Sequence, residues 1–75
     1  MPISEETFAL RRALRRAPVA TRARIVKIYE QERTLERTAA KLRIPLRTLY
    51  RLLDSDEALA ASFATTRDRP GFRAT

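Results

Sequence analysis

The sequence predicts an all-α protein, a small bundle of four to five helices in one domain. Its 75 residues are rich in Ala, Leu, Arg and Glu, which favour helices, and they lack the alternation of β-branched and polar residues that predicts strands. Four prolines and a single glycine interrupt this pattern, and proline is typical of the first turn of a helix or of the residues after its end. The prolines therefore mark the expected joints between helices.

Caps and apolar residues predict where each helix begins and ends. The first helix is expected from a Ser4 cap to about Arg16, the second from Val19 or Thr21 to Glu32, the third from a Thr34 cap to Leu42, the fourth from Pro45 to about Leu53, and the fifth after a capping box formed by Asp54 and Glu57. Residues 65–75 show no periodicity, so we expect a domain at 1–64 followed by a flexible basic tail.

The charge of the chain indicates a polyanionic partner. Sixteen Lys and Arg residues stand against nine Asp and Glu, giving a formal net charge of +7, which suits nucleic acid or an anionic membrane surface. Only Lys27 and Lys41 are lysines, and the other basic residues are arginines. Such a bias suits bidentate recognition of phosphate and guanine, although a GC-rich genome is an alternative explanation.

The composition argues against several kinds of chemistry. Without cysteine or histidine the chain has no disulfide, no thiolate, no imidazole base and none of the common zinc sites. A single glycine cannot build a glycine-rich phosphate loop. We therefore expect no enzymatic activity, no cofactor and no metal. Because no apolar run is long enough to span a membrane or form a signal sequence, a cytoplasmic, nucleoid-associated location is expected.

The stretch "TAAKLRIPLRTLYRLL", from Thr38 to Leu53, predicts two short helices joined by a tight turn. This is the pattern of a helix-turn-helix, in which the exposed side of the second helix enters the major groove of DNA. Ala39 is expected where the two helices cross, because a larger side chain would keep them apart. The residues expected to fill the wedge between the helices are Leu42, Ile44, Leu49, and Leu52 or Leu53.

The same stretch resembles the homeodomain-like helix-turn-helix family of bacteria and their phages, and in particular the DNA-binding ends of the factor for inversion stimulation, the nitrogen-regulator activators and the serine invertases. The matching residues are Ala39, Ala40, Leu42, Ile44, Thr48, Leu49, Tyr50, Arg51 and Leu53. The resemblance covers roughly Ile25 to Asp54. It implies that Thr48 and Arg51 contact backbone phosphate and that Arg47 and Tyr50 lie near base edges or the groove wall.

One position departs from that family, which usually has glycine in the turn where this chain has Arg43. Arg43 must then adopt a left-handed backbone conformation, at a cost of about 1 kcal/mol. The residues predicted to bind double-stranded DNA are Arg37, Lys41, Arg43, Leu46, Arg47, Thr48, Tyr50 and Arg51, with Arg12 and Arg16 as flanking phosphate contacts.

Each of these predictions has a plainer alternative. Arg47 and Arg51 could belong to a solvated face, and Tyr50 to the core. The first helix could simply dock by its apolar stripe, and Arg67, Arg69 and Arg73 could be solubilising residues and not a minor-groove arm.

The predicted function is sequence-specific DNA binding by a bacterial or phage transcriptional regulator that acts as a homodimer. Two dimer surfaces are expected, either the stripe of Ile3, Leu10, Leu14 and Ile28, or the pair Leu59 and Phe63. The alternatives are an accessory factor of a recombination or phage packaging machine, and an adaptor whose basic first helix binds an acidic partner or a membrane.

Overall fold

A computed structural model of the chain describes residues 5–72, which form five α-helices and no strand. The helices are α1 (Glu5–Arg16), α2 (Pro18–Glu32), α3 (Leu35–Leu42), α4 (Leu46–Ser55) and α5 (Glu57–Arg67). The predicted all-α class and the number of helices are confirmed. The expected Ser4 cap lies outside the described residues.

Two predicted helix starts need correction. Pro45 has an extended backbone (φ −62°, ψ 146°) and precedes α4 as its cap, so the helix begins at Leu46. The expected capping box of Asp54 and Glu57 does not form, because α4 continues through Asp54 to Ser55. Asp56 caps α5 instead, and its carboxylate accepts a hydrogen bond of 3.0 Å from the Leu59 amide.

Helix α2 is the centre of the bundle and packs against α1, α3 and α5. Its buried residues, Thr21, Ile25 and Tyr29, recur every four positions. The Thr21 hydroxyl donates a 3.0 Å hydrogen bond to the Ala13 carbonyl across the one-residue joint between α1 and α2. Helix α2 is therefore covered on more than one side.

Aromatic stacking joins α2 to the end of the chain. The ring of Tyr29 stacks on that of Phe63, with 4.4 Å between centroids and 4° between planes. Phe72 closes over Tyr29 at 5.3 Å. Arg33 lies over the Phe72 ring at 5.3 Å and donates a 3.3 Å hydrogen bond to the Gly71 carbonyl.

The predicted start of a flexible tail at residue 65 is therefore wrong. Helix α5 extends to Arg67, and Thr66 is buried. Residues 68–72 turn back onto α2, where Arg69 pairs with Glu30 at 2.8 Å. Sequence periodicity missed this segment because a single aromatic ring, Phe72, supplies its apolar contact. Arg73 and the rest of the predicted tail lie outside the described residues.

The two surfaces predicted for a homodimer belong to the chain's own core. Leu59 and Phe63 are buried, as is Leu10, while Leu14 and Ile28 pack against the same cluster. The fifth helix turns back against α2 and α4, so its apolar face is used within one chain. Ile3 lies outside the described residues. Leu10, Leu59 and Phe63 are therefore not available to a partner chain, and the homodimer itself stays a prediction.

The first prediction tests whether Leu10 is core. Leu10 is 5% exposed and Phe8, two residues away on α1, is 52% exposed. Leu10→Ala should lower the free energy of unfolding by about 2–4 kcal/mol, because it leaves a cavity, whereas Phe8→Ala should change it by less than about 1 kcal/mol. Urea unfolding followed by circular dichroism measures both. If the unfolding midpoint rises with protein concentration in the wild type but not in Leu10→Ala, then Leu10 lies in an interface between two chains and not in the core of one.

The second prediction concerns Asp56, which joins α5 to α2. The Arg22 Nε donates to both carboxylate oxygens, at 3.1 and 2.9 Å. Burial raises the pKa of Asp56, but the hydrogen bonds from Arg22 and from the Leu59 and Ala58 amides, together with the Arg22 charge, bring it below the ordinary value of 3.8. The ionised carboxylate therefore stabilises the fold above that value.

This contribution should be lost as the pH falls below about 3.8 and through the lower pKa of the folded state. Asp56→Asn should reduce the free energy of unfolding at pH 7 by about 1 kcal/mol, since asparagine can still cap α5 but the ion pair with Arg22 is removed. Asp54→Asn is the matched control on an exposed residue, and it should raise the free energy of unfolding slightly, by less than about 1 kcal/mol, because it removes an anion from the last turn of α4. We expect urea midpoints of the wild type and Asp56→Asn to converge in acid. A constant difference from pH 7 to pH 2 would contradict the assignment.

Candidate nucleic-acid interface

The turn between α3 and α4 is held by backbone hydrogen bonds. Arg43 has left-handed dihedral angles (φ 60°, ψ 39°), as the sequence predicts. Its amide donates to the Ala40 carbonyl at 3.1 Å, and the Ile44 amide donates to the Ala39 carbonyl at 3.0 Å. This pair of bonds is a Schellman motif, in which the apolar residue after the left-handed position packs back on the helix. Pro45 then prevents α3 from continuing.

Apolar packing fixes how α4 sits against the rest of the domain. Ala39 is buried at the α3 side, and a residue this small allows the two helices to approach closely. The buried residues that hold α4 in place are Leu42, Ile44, Leu49 and Leu52, and Leu53 packs against them half-buried. The wedge predicted from the sequence is therefore confirmed.

The opposite side of α4 is exposed. Arg47, Tyr50, Arg51 and Asp54 lie on it, and we call them the exposed face of α4. At about 100° per residue, Arg47 and Asp54 project from the middle of this face. Tyr50 lies toward one edge and Arg51 toward the other. Tyr50 is 48% exposed, so it does not belong to the core.

A groove between α1 and α4 borders the Arg51 edge of this face. Arg11 and Arg15 of α1 line it together with Arg51 and Ser55. Asp56 also reaches this groove, but its carboxylate already accepts both hydrogen bonds from Arg22. Three guanidinium groups therefore have no ion-pair partner among the described residues. We call this the α1–α4 groove.

A second groove borders the Tyr50 edge, where the start of α3 meets the end of α5. Its basic residues are Arg33, Arg37 and Arg67, and Glu36 is an acidic residue on its wall. Tyr29 also lines the groove. Burial raises the pKa of its hydroxyl above 10.0, against the opposing effect of the nearby Arg67 charge, so the hydroxyl is neutral at physiological pH. We call this the α3–α5 groove.

Most of the predicted DNA-binding residues are exposed. These are Arg37, Lys41, Arg43, Arg47, Tyr50 and Arg51. Leu46 is half-buried and packs partly against the core. Thr48 is only 8% exposed, because it lies on the same side of α4 as Leu49 and Leu52. Thr48 is therefore largely buried, and its phosphate contact stays a prediction.

The phosphate contacts predicted for Arg12 and Arg16 of α1 stay predictions. Arg12 and Arg16 are exposed, but the residues that line the α1–α4 groove are Arg11 and Arg15. The apolar stripe of α1 can be predicted from the sequence, but the arginines that border it on either side could equally lie beside α4. Which of them do so depends on the angle at which α1 crosses the bundle.

Sequence reasoning missed Arg33 and Arg67 as members of a cationic cluster. Arg33 has a second left-handed conformation (φ 75°, ψ −19°) at the end of α2, and Arg67 ends α5. Each ends a different helix, far apart in sequence, and only the packing of α5 on α2 brings them together. A local motif search has no signal for such a pair.

Comparison of the chain with protein-family models, with curated proteins and with solved structures gave no match. Within residues 5–72, no helix has the length and apolar character needed to cross a membrane.

The third prediction separates the effect of Arg43 on the stability of the turn from its effect on DNA binding. Arg43 is exposed and pays the strain of a left-handed conformation, so Arg43→Gly should raise the free energy of unfolding by about 0.5–1 kcal/mol. If the side chain also contacts phosphate, the same variant should bind DNA more weakly. Urea unfolding and a fluorescence-anisotropy titration with duplex DNA measure the two effects. Arg43→Ala is the control, since it removes the side chain and keeps the strain. Equal DNA affinity of all three proteins would rule out a phosphate contact by Arg43.

Proposed function

We propose that this protein binds double-stranded DNA with α4 in the major groove. The observation that carries the proposal is the arrangement of arginines around α4. Its exposed face has an arginine near the centre, and a groove lined with arginines borders each edge. A helix in the major groove of DNA has a phosphate backbone on either side of it, so this arrangement of charge matches the ligand.

Each groove would contact one backbone. Arg11, Arg15 and Arg51 would contact phosphates on one strand, and Arg37 and Arg67 phosphates on the other. Lys41 and Arg43, exposed near the turn, extend the same positive surface. Guanidinium groups suit this role because they bind phosphate oxygens with two parallel donors and remain charged at all physiological pH values.

Arg47 is the candidate for direct reading of a base. It projects from the middle of the exposed face of α4, and an arginine in the major groove donates to both N7 and O6 of guanine. The resemblance of Ala39 to Leu53 to the homeodomain-like helix-turn-helix family supports the same role for α4. Tyr50, at the edge of the face, would pack against the sugar-phosphate wall or a thymine methyl group.

A helix of this length reads only a few base pairs, so specific binding in a genome calls for two copies. We therefore propose a homodimer at an inverted repeat, with the role of a transcriptional regulator in the nucleoid. An accessory role in a recombination or packaging machine would use the same face. The dimer surface cannot include Leu10, Leu59 or Phe63, because these residues are buried in the core of each chain.

A second candidate function rests on Phe8. This residue is 52% exposed on α1 and lies one turn from Arg11 and Arg12. An exposed aromatic residue beside arginines is typical of helices that bind an anionic membrane surface or an acidic protein. Co-sedimentation with vesicles containing phosphatidylserine separates this function from the first. Binding to vesicles that Phe8→Ala abolishes, without any binding to DNA, would favour the adaptor.

The fourth prediction tests the proposed function by its salt dependence. With about four to six phosphate contacts per chain, the logarithm of the binding constant should fall against the logarithm of salt concentration with a slope between about −3.6 and −5.4. Arg15→Ala and Arg37→Ala, one from each groove, should each make the slope less negative by about 0.9.

Arg24→Ala is the matched control. Arg24 is an exposed arginine of α2 that lines neither groove, so its removal should leave the slope nearly unchanged. Fluorescence anisotropy with a duplex of random sequence, between 50 and 200 mM salt, measures all four proteins. Binding that is indifferent to salt in this range would refute the phosphate contacts. Equal losses in all three variants would show that only net charge matters and would refute the two grooves.

A further inference from the structure

The exposed face of α4 contains one carboxylate among its arginines. Asp54 lies near the middle of the face, two helical turns beyond Arg47, and its side chain is exposed. The ion pairs found within residues 5–72 are Arg22 with Asp56 and Arg69 with Glu30, so no arginine neutralises Asp54 there. A negative charge at this position is unexpected on a surface proposed to lie between two phosphate backbones.

Asp54 is also unfavourable for α4 itself. It lies in the last turn, where the helix dipole repels an anion, and that turn has no basic residue to offset it. It does not cap α5, because Asp56 performs that role. A residue that opposes the local rules without a structural compensation is a candidate for a functional role.

We infer that Asp54 is a second base-reading residue, which accepts a hydrogen bond from the amino group of a cytosine. This inference rests on the proposed function, since it requires α4 to lie in the major groove. A carboxylate there can be satisfied only by a donor, and the donors on base edges are the amino groups of cytosine and adenine. Adenine presents its N7 acceptor beside the amino group, which repels the second carboxylate oxygen. Cytosine presents no such acceptor.

The spacing along α4 predicts where this cytosine lies. Seven residues at about 1.5 Å each separate Arg47 from Asp54 by about 10.5 Å along the helix axis. A helix in the major groove is inclined to the DNA axis, and residues spread over about two helical turns contact about three successive base pairs. The preferred site should therefore contain a guanine contacted by Arg47 and, about two to three base pairs away, a cytosine contacted by Asp54.

The same carboxylate would reduce binding to wrong sequences. Where no amino group is within reach, its charge is opposed by the phosphates on both sides and its lost hydration is not replaced. Arginines in both grooves increase affinity for every sequence, whereas Asp54 subtracts affinity from all sequences but those with a donor at the right position. Specificity then arises from the difference between the two effects.

The experiment is selection of bound duplexes from a random pool by the full chain, in parallel with Asp54→Ala, Asp54→Asn and Arg47→Ala. The wild type should enrich a guanine and a cytosine about two to three base pairs apart. Arg47→Ala should lose the guanine and keep the cytosine. Asp54→Ala should keep the guanine, lose about tenfold in preference for cytosine, and bind non-matching DNA several-fold more tightly.

Asp54→Asn gives the sharpest result. A carboxamide accepts from the adenine amino group and donates to adenine N7, so the selected base should change from cytosine to adenine. Glu57→Gln is the matched control, because it removes an exposed carboxylate three residues away at the start of α5. Its selected sequence should equal that of the wild type. Circular dichroism verifies that each variant is folded.

The outcomes separate the inference from the proposed function. Salt-dependent DNA binding by the wild type, with the same bases selected by Asp54→Ala and Asp54→Asn, would overturn the role of Asp54 and leave DNA binding standing. The same holds if the wild type binds DNA without enriching any sequence. Absence of DNA binding at low salt would overturn the proposed function and this inference together.

Discussion

The orientation of α4 depends on two backbone hydrogen bonds at the end of α3. They require Arg43 to take the left-handed conformation, and this one residue redirects the chain so that Ile44 returns to the core. Because Ile44 and Leu49 are then both buried, the rotation of α4 about its own axis is determined. Its exposed face follows, and so do the positions of Tyr50 and Arg51 at the edges of that face. A different turn would rotate every one of these side chains.

Local features of the fold could be predicted from the sequence, and features that depend on how helices cross could not. The Thr34 cap follows from neighbouring residues, and the left-handed Arg43 was expected because the helix-turn-helix family that the chain resembles usually has glycine there; the structure has both. Leu59 and Phe63 were predicted to share a face, which they do. Their burial within one chain could not be derived, because an apolar stripe is equally suited to covering a core or a partner.

The candidate interface shows the same division. The exposed residues of α4 follow from its period, since Leu49 and Leu52 must point inward. Arg11 and Arg15 line the α1–α4 groove, whereas Arg12 and Arg16 do not. This difference depends on how α1 packs against its neighbours, which no local sequence pattern encodes. Arg33 and Arg67 come together only because α5 folds back on α2.

Short joints give this small domain a rigid surface for its arginines. One residue, Ala17, separates α1 from α2, and one residue, Asp56, separates α4 from α5. Each joint is held by side-chain hydrogen bonds, from Thr21 to Ala13 at the first and from Arg22 to Asp56 at the second. Helices connected in this way have little freedom to swing.

Rigid joints matter because the arginines repel each other. The chain has a net charge of +7, and within residues 5–72 only Arg22 and Arg69 are neutralised by an ion pair. Both of these pairs hold the fold together: the first connects α2 to the α4–α5 joint, and the second connects residues 68–72 to α2. The arginines beside α4 are left without such partners, so their repulsion is borne by the core and the caps. A polyanion that contacts both grooves would relieve this repulsion without requiring the helices to move, and the energy of that relief would contribute to affinity for every sequence equally.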